Sequence, residues 1–288
     1  MKKVHLVLGS GGARGMAHIG VIEMLQQDGY EIVEVIGCSM GAVVGAMFCA
    51  GYLNDYKNWL LSLTKSGVFS LFDLTLTMQG FVKGEKIFHK LQEFTGHQNI
   101  EDLKIPFTAV ATDMVNKKEV YFTSGNIYKA LRASIAIPGV FTPVVNDHSV
   151  LVDGGVLNPL PVNLIHKQQD AIVVAVNLNG APMPTAQVNI KETEGNNYWE
   201  WLSKFPIVGK KEHPAEQKSS IPKFTVFDLL NTSYDFTMDR LTELMIQYHH
   251  PDILIEVPRN SCNIFEFYRA KDVIEIGKNA YKKAVENG

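Results

Sequence analysis

The sequence predicts an α/β fold in which a mostly parallel central sheet lies between two layers of helices. Three observations lead there. Short apolar runs alternate with segments of helical period through the first half of the chain, and two of those runs pass through glycine-rich turns straight into helices. Ala171–Val176 is apolar throughout, as a strand covered on both faces must be. With 288 residues, 46% of them hydrophobic and 20% charged, the chain can build a real core, which sets aside disorder and fibre.

The elements follow in order. Val4–Leu8 is a short β run and leads into Gly9-Ser10-Gly11-Gly12-Ala13-Arg14-Gly15. A helical pattern then places Ile19, Ile22 and Leu25 on one face and ends at Asp28-Gly29, where glycine supplies the C-terminal cap. Ile32–Ile36 is a second strand; it enters Gly37-Cys38-Ser39-Met40-Gly41 and then a small-residue helix, Ala42–Ala50, closed by Gly51. Phe107–Ala111 and Val120–Phe122 read as strands, and Ile127, Leu131 and Ile135 mark a helix face. Val68–Val82 carries large apolar residues with a period of neither two nor 3.6, which suits a cover segment, a lid or the wall of a pocket. Ala181–Lys223 is polar and rich in Pro and Lys, and is expected to cross the surface. A helix around Thr225–Gln247, a strand at Ile253–Val257 and a terminal helix with Val273, Ile276, Ala280 and Ala284 at helical spacing complete the chain. The expected organisation is a catalytic core over 4–178, with 179–288 packed on the same domain.

Composition narrows the function. The 27 basic and 30 acidic residues leave a net charge of −3, and no Lys/Arg cluster offers a footprint for nucleic acid. Three cysteines, Cys38, Cys49 and Cys262, are too few and too irregular for a disulfide framework or a zinc site, and suit a reducing compartment. The apolar run after Met1-Lys2-Lys3 stops at Gly9, short of the roughly 7–15 residues of a signal-peptide core. Ala42–Leu53 is below the ~18 apolar residues of a membrane span. A cytoplasmic location follows, with any membrane contact peripheral.

Gly37-x-Ser39-x-Gly41 is the sharpest motif. A nucleophile lifted onto a tight strand-to-helix turn needs glycine two residues to either side, because a Cβ there collides across the turn. By composition alone the motif arises about 0.1 times in a chain of this length. The glycine loop at 9–15 leaves backbone N–H groups pointing outward ahead of a helix, which makes an anion site. Its anion is the oxyanion of acyl transfer or the pyrophosphate of a dinucleotide. The dinucleotide pattern fits poorly, since Arg14 occupies the third glycine position and no acid ends the second strand.

A serine nucleophile needs a base. Asp153 ends the apolar strand Val150-Leu151-Val152 and precedes Gly154-Gly155, although Asp-Gly is also a common hairpin turn. His148 and His166 flank it and would be needed for a triad, and Asp113 is a fallback base. Arg14 either attracts an anionic head group or holds the loop through carbonyl or carboxylate contacts. Cys38 reads as a small buried filler and His249-His250 as a solvated or capping pair. Trp199, Trp201 and Phe205, among Lys204, Lys210 and Lys211, suit an interfacial anchor or ordinary loop packing.

Together, Gly11-Gly12-Ala13-Arg14-Gly15, Gly37-Cys38-Ser39-Met40-Gly41, Arg132-Ala133-Ser134-Ile135-Ala136-Ile137-Pro138-Gly139-Val140-Phe141 and Asp153-Gly154-Gly155 resemble the patatin-like phospholipase family, particularly its small bacterial members. The resemblance covers roughly Val4–Leu178. It implies a patatin-like three-layer fold and hydrolysis of phospholipid or lysophospholipid esters by a Ser-Asp dyad, without metal or organic cofactor. It carries the nucleophile onto Ser39, the base onto Asp153 and the oxyanion donors onto the backbone of Gly11, Gly12 and Ala13. Arg14, Gly15, Gly37, Gly41, Gly154 and Gly155 become motif residues. One departure is Ser10, where the family loop usually has a further glycine. An aspartate base working near neutral pH is expected to have its pKa raised by desolvation. The rival readings are an α/β-hydrolase esterase with a histidine triad and a non-catalytic anion- or nucleotide-binding module.

Overall fold

The computed structural model describes residues 2–77, 80–166, 170–183 and 226–286. One compact unit comprises Met1–Met183 and Met238–Gly288; the other is Pro184–Thr237, whose described part is the start of a single helix. The aromatic-basic segment around Trp199–Phe205 lies outside the described residues.

The sheet starts at β1 (Lys3–Leu8), whose residues 4–8 are all buried. After the glycine loop come α1 (Ala17–Gln27), β2 (Glu31–Cys38) and α2 (Met40–Cys49). Next are α3 (Leu53–Ser62), α4 (Lys65–Leu71), the hairpin β3 (Leu74–Thr77) and β4 (Gly80–Val82), and α5 (Glu85–Thr95). The chain returns to the main sheet with β5 (Phe107–Asp113) and β6 (Lys118–Phe122), followed by α6 (Ile127–Ser134), β7 (Val144–Asn146), β8 (Ser149–Asp153) and β9 (Ala171–Gly180). The last elements are α7 (Val226–His249), β10 (Ile253–Pro258) and α8 (Ala270–Glu286).

Strands β10, β9, β1, β2 and β5 are parallel neighbours in that order, and β6, β8 and β7 add antiparallel pairs beyond them. On one face Val7, Val173 and Ala175 pack against Leu160, Val162 and the α7 residue Ile246. On the other, α2 lies over β1 and β2, and the position of a Cβ on Gly45 would be 2.8 Å from Val35. Helices α1 and α8 cross closely: a Cβ on Gly277 would be 2.1 Å from the Ala17 carbonyl. This is the expected α/β fold, a mostly parallel central sheet flanked by helices.

β5 sets the position of the site. β6 pairs with Ala109–Asp113 along one edge of β5, so β2 and β8 share the other. There Cys38 pairs with Val110 and Asp153 with Ala111, on adjacent rungs. Because β2 runs parallel to β5 and β8 antiparallel, the C-terminal ends of the two strands meet head to head.

Val68–Val82 lacks a clean period because it is neither one helix nor one strand. It is split between α4 and the hairpin, and Val68, Leu71 and Phe72 face a cavity. Helices α3 and α5 are not among the expected elements, although Leu53, Tyr56 and Leu60, and Phe88 and Leu91, are buried at helical spacing.

Candidate active site

Ser39 stands on the turn where β2 ends and α2 begins, with φ 54° and ψ −123°. Such a left-handed, extended backbone is costly for a non-glycine residue, of order 1–3 kcal/mol, and is held only by its surroundings. The flanking glycines provide those surroundings. A Cβ on Gly37 would lie 2.5 Å from Ala42 Cα, and one on Gly41 would lie 2.1 Å from the Leu8 carbonyl oxygen. Neither position admits a side chain.

A second brace was not read from the sequence as a site residue. Ser134, fully buried at the end of α6, accepts a hydrogen bond from the Ser39 N–H (3.0 Å) and donates one to the Val110 carbonyl (2.7 Å). It ties the elbow to β5 and occupies the amide of Ser39 itself. The signal lay in the Arg132–Phe141 motif, but nothing in its spacing says which side chain turns inward.

Asp153 comes to Ser39 through the meeting of β2 and β8. The Ser39 hydroxyl donates to Asp153 Oδ2 at 2.5 Å, and the Gly155 N–H donates to Oδ1 at 2.7 Å. Gly154 allows the approach, since a Cβ there would be 2.4 Å from the Val110 carbonyl oxygen and 3.0 Å from Cys38 Sγ. Burial pushes the Asp153 carboxyl up to about 7, against the pull of the bonds from Ser39 and Gly155.

The other titratable candidates are engaged elsewhere. Asp113 accepts from the Val115 and Asn116 amides and, at 2.6 Å, from Asn116 Nδ2; the Asn116 side chain leads the effects that hold its carboxyl below the usual range. His148 and His166 are exposed. Among the described residues no histidine is bonded to Ser39 or Asp153. His18 is fully buried, donates through Nε2 to the Gly9 carbonyl (2.9 Å), and is pulled down to about 4 by burial, so it is neutral at physiological pH. Burial likewise raises the Cys38 thiol well above its ordinary value, in keeping with a filler role.

The glycine loop comes to the same place. Gly12, with φ 56°, lines a cavity together with Ser39, and the amides of Gly11 and Gly12 make no hydrogen bond among the described residues. The Ala13 N–H, the third of the expected donors, is given to the Ile264 carbonyl at 2.9 Å. Two open amides remain. Arg14 donates to the carbonyls of Gly11 and Arg259, both at 3.1 Å, which is the loop-holding alternative. A Cβ on Gly15 would lie 2.1 Å from Met40 Cγ, so its absence lets the loop sit against the elbow.

The cavity is lined by Ser39, Gly12 and Met40 together with Tyr56, Trp59, Phe88, Leu91, Ile264, Phe265 and Phe267. Its walls are almost wholly apolar. The lining suits a hydrocarbon chain. Among the described residues no group of His, Cys, Asp or Glu side chains is arranged to hold a metal ion, and no helix is long and apolar enough to cross a membrane.

The sequence model of the patatin-like phospholipase family matches residues 6–165, more than half of the chain and all of these motifs up to Asp153-Gly154-Gly155. The chain belongs to that family. Uncharacterized NTE family proteins of Mycobacterium bovis and Mycobacterium tuberculosis are 35% identical to it, over 99% of this chain and 91% of theirs. A neuropathy target esterase of Drosophila melanogaster is 29% identical over 76% of this chain, which matches 15% of that much longer protein. Among solved structures, VipD of Legionella pneumophila superposes with a TM-score of 0.51 at 13% identity, covering 99% of this chain and 67% of that one, a likeness of fold alone. Patatin-like and NTE proteins are generally lipid acyl hydrolases.

Proposed function

We propose that this patatin-like protein hydrolyses the carboxylic esters of phospholipids or lysophospholipids through an acyl-serine intermediate, with Ser39 as nucleophile and Asp153 as its only general base. The observation that carries the proposal is the 2.5 Å bond from the Ser39 hydroxyl to a buried carboxylate, at the head of an apolar cavity. Asp153 takes the Ser39 proton as the oxygen attacks the ester carbonyl. The open amides of Gly11 and Gly12 stabilise the oxyanion, and the positive end of α2 adds to the field. The Ser39 amide is committed to Ser134, so the glycine loop has to supply the donors. The alcohol leaves with the proton, and water then releases the fatty acid from Ser39.

A fluorophosphonate probe tests the assignment. Wild type is expected to label at one serine, Ser39→Ala not at all, and Asp153→Asn at least ~100-fold more slowly, the scale of a lost general base. Native-rate labelling of Asp153→Asn sinks the dyad. A panel of phospholipid, lysophospholipid and simple glyceride esters then ranks the substrates.

A further inference from the structure

Ser10, the loop's departure from the family pattern, takes no part in the chemistry above. Its side chain is buried, with 3% exposure, and Oγ makes no hydrogen bond among the described residues. Its backbone is engaged on both sides: the N–H donates to the Pro159 carbonyl at 2.9 Å and the carbonyl accepts from Asn179 Nδ2 at 3.3 Å. A buried hydroxyl without a partner costs about 1–3 kcal/mol, so a group that pairs with it is favoured.

That hydroxyl lies near Asp153. The point where a Cβ of Gly155 would stand is 3.2 Å from Ser10 Oγ and 3.1 Å from Asp153 Oδ1, which keeps the two oxygens within about 6 Å of each other without a direct bond. One water spans such a separation. The methyl of Met238, 3.1 Å from the same point, covers the site.

We propose that Ser10 holds the hydrolytic water against Asp153 in the deacylation half of the reaction, an inference that rests on the acyl-serine reading. Ser10 Oγ accepts one hydrogen of the water and Asp153 faces the other, which leaves a lone pair for the acyl carbon. The water oxygen bonds to that carbon as its proton passes to the Asp153 carboxylate. Collapse of the tetrahedral intermediate breaks the bond to Ser39 Oγ, which takes the proton back from Asp153, and the fatty acid leaves.

The test follows a p-nitrophenyl ester by quenched flow and intact-protein mass spectrometry in wild type, Ser39→Ala, Ser10→Ala and Ser10→Gly. Both Ser10 variants keep the loop's backbone bonds. They are expected to release the first p-nitrophenolate at the wild-type rate, while the acyl-enzyme decays on the order of 10- to 100-fold more slowly and its adduct accumulates. Wild-type decay in Ser10→Ala overturns the water assignment. Equal slowing of acylation and decay also overturns it, because that is what a purely structural role in the loop produces. An acyl adduct persisting in Ser39→Ala rejects the underlying acyl-serine reading instead, so the two failures are distinct.

Discussion

Burial changes the chemistry of Asp153. An ordinary aspartate, near 3.9, is too weak a base to draw a proton from serine at neutral pH, whereas burial lifts this one to about 7. As the proposed base it works only when ionised, so kcat/KM for a soluble ester is expected to rise with pH through about 7. A limb near 4 would dissociate the activity from this carboxyl. The same shift acts on stability. A carboxyl whose folded pKa is raised contributes stability that is complete below its ordinary value and lost as pH rises through about 7. Asp153→Asn stays neutral throughout, so its melting temperature should exceed that of wild type above pH 7, with the gain shrinking toward pH 4. Thermal melts across that range check both the sign and the window.

At the scale of elements, the elbow between β2 and α2 is held from two directions. Gly37 and Gly41 leave room for the strained turn, and Ser134 reaches across from α6 to hold the Ser39 amide. Ser134→Ala leaves that amide and the Val110 carbonyl each without this partner, at about 1–3 kcal/mol for an unpaired buried group. The variant is expected to melt lower and to label with fluorophosphonate roughly 10-fold more slowly or worse, since a misplaced nucleophile loses its attack geometry. Native labelling kinetics would show that the glycines alone hold the turn. The glycine spacing was legible because sterics demand it. Ser134 was not, because its partners lie 95 residues away in Ser39 and 24 away in Val110.

Over the whole molecule, the cavity is assembled from elements scattered along the chain. Helices α2, α3, α4 and α5, the 135–141 segment and the 264–267 turn all contribute. The turn lies beyond the matched family segment, yet Ile264 also occupies the Ala13 amide, so it shapes the glycine loop as well as the cavity wall. Phe72 and Phe265 meet edge to face, with ring centroids 5.7 Å apart, and join α4 to that turn. Each methylene buried in such a cavity contributes about 0.8 kcal/mol. Ile87→Trp, at a half-buried wall position of α5, should therefore lower kcat/KM for octanoyl and longer esters by at least ~10-fold relative to butyrate, the loss of about two methylenes. An unchanged chain-length profile would place the acyl chain elsewhere.

Local rules made much of this protein readable from the sequence. Apolar runs and periodicity gave away β1, β2, β5, β9, β10 and helices α1, α2, α6, α7 and α8, and two glycines around Ser39 announced a sharp strand-to-helix turn, because these features depend on contacts between near neighbours in the chain. Long-range packing decided the rest. Asp-Gly after β8 reads equally well as a hairpin, and only the shared edge of β5 brings Asp153 to Ser39 and buries it. Ala13 looks like an open donor until Ile264, about 250 residues later, fills its amide. Periodicity reports which face of an element is covered; it carries no information about which distant segment covers it, and the site is made of such encounters.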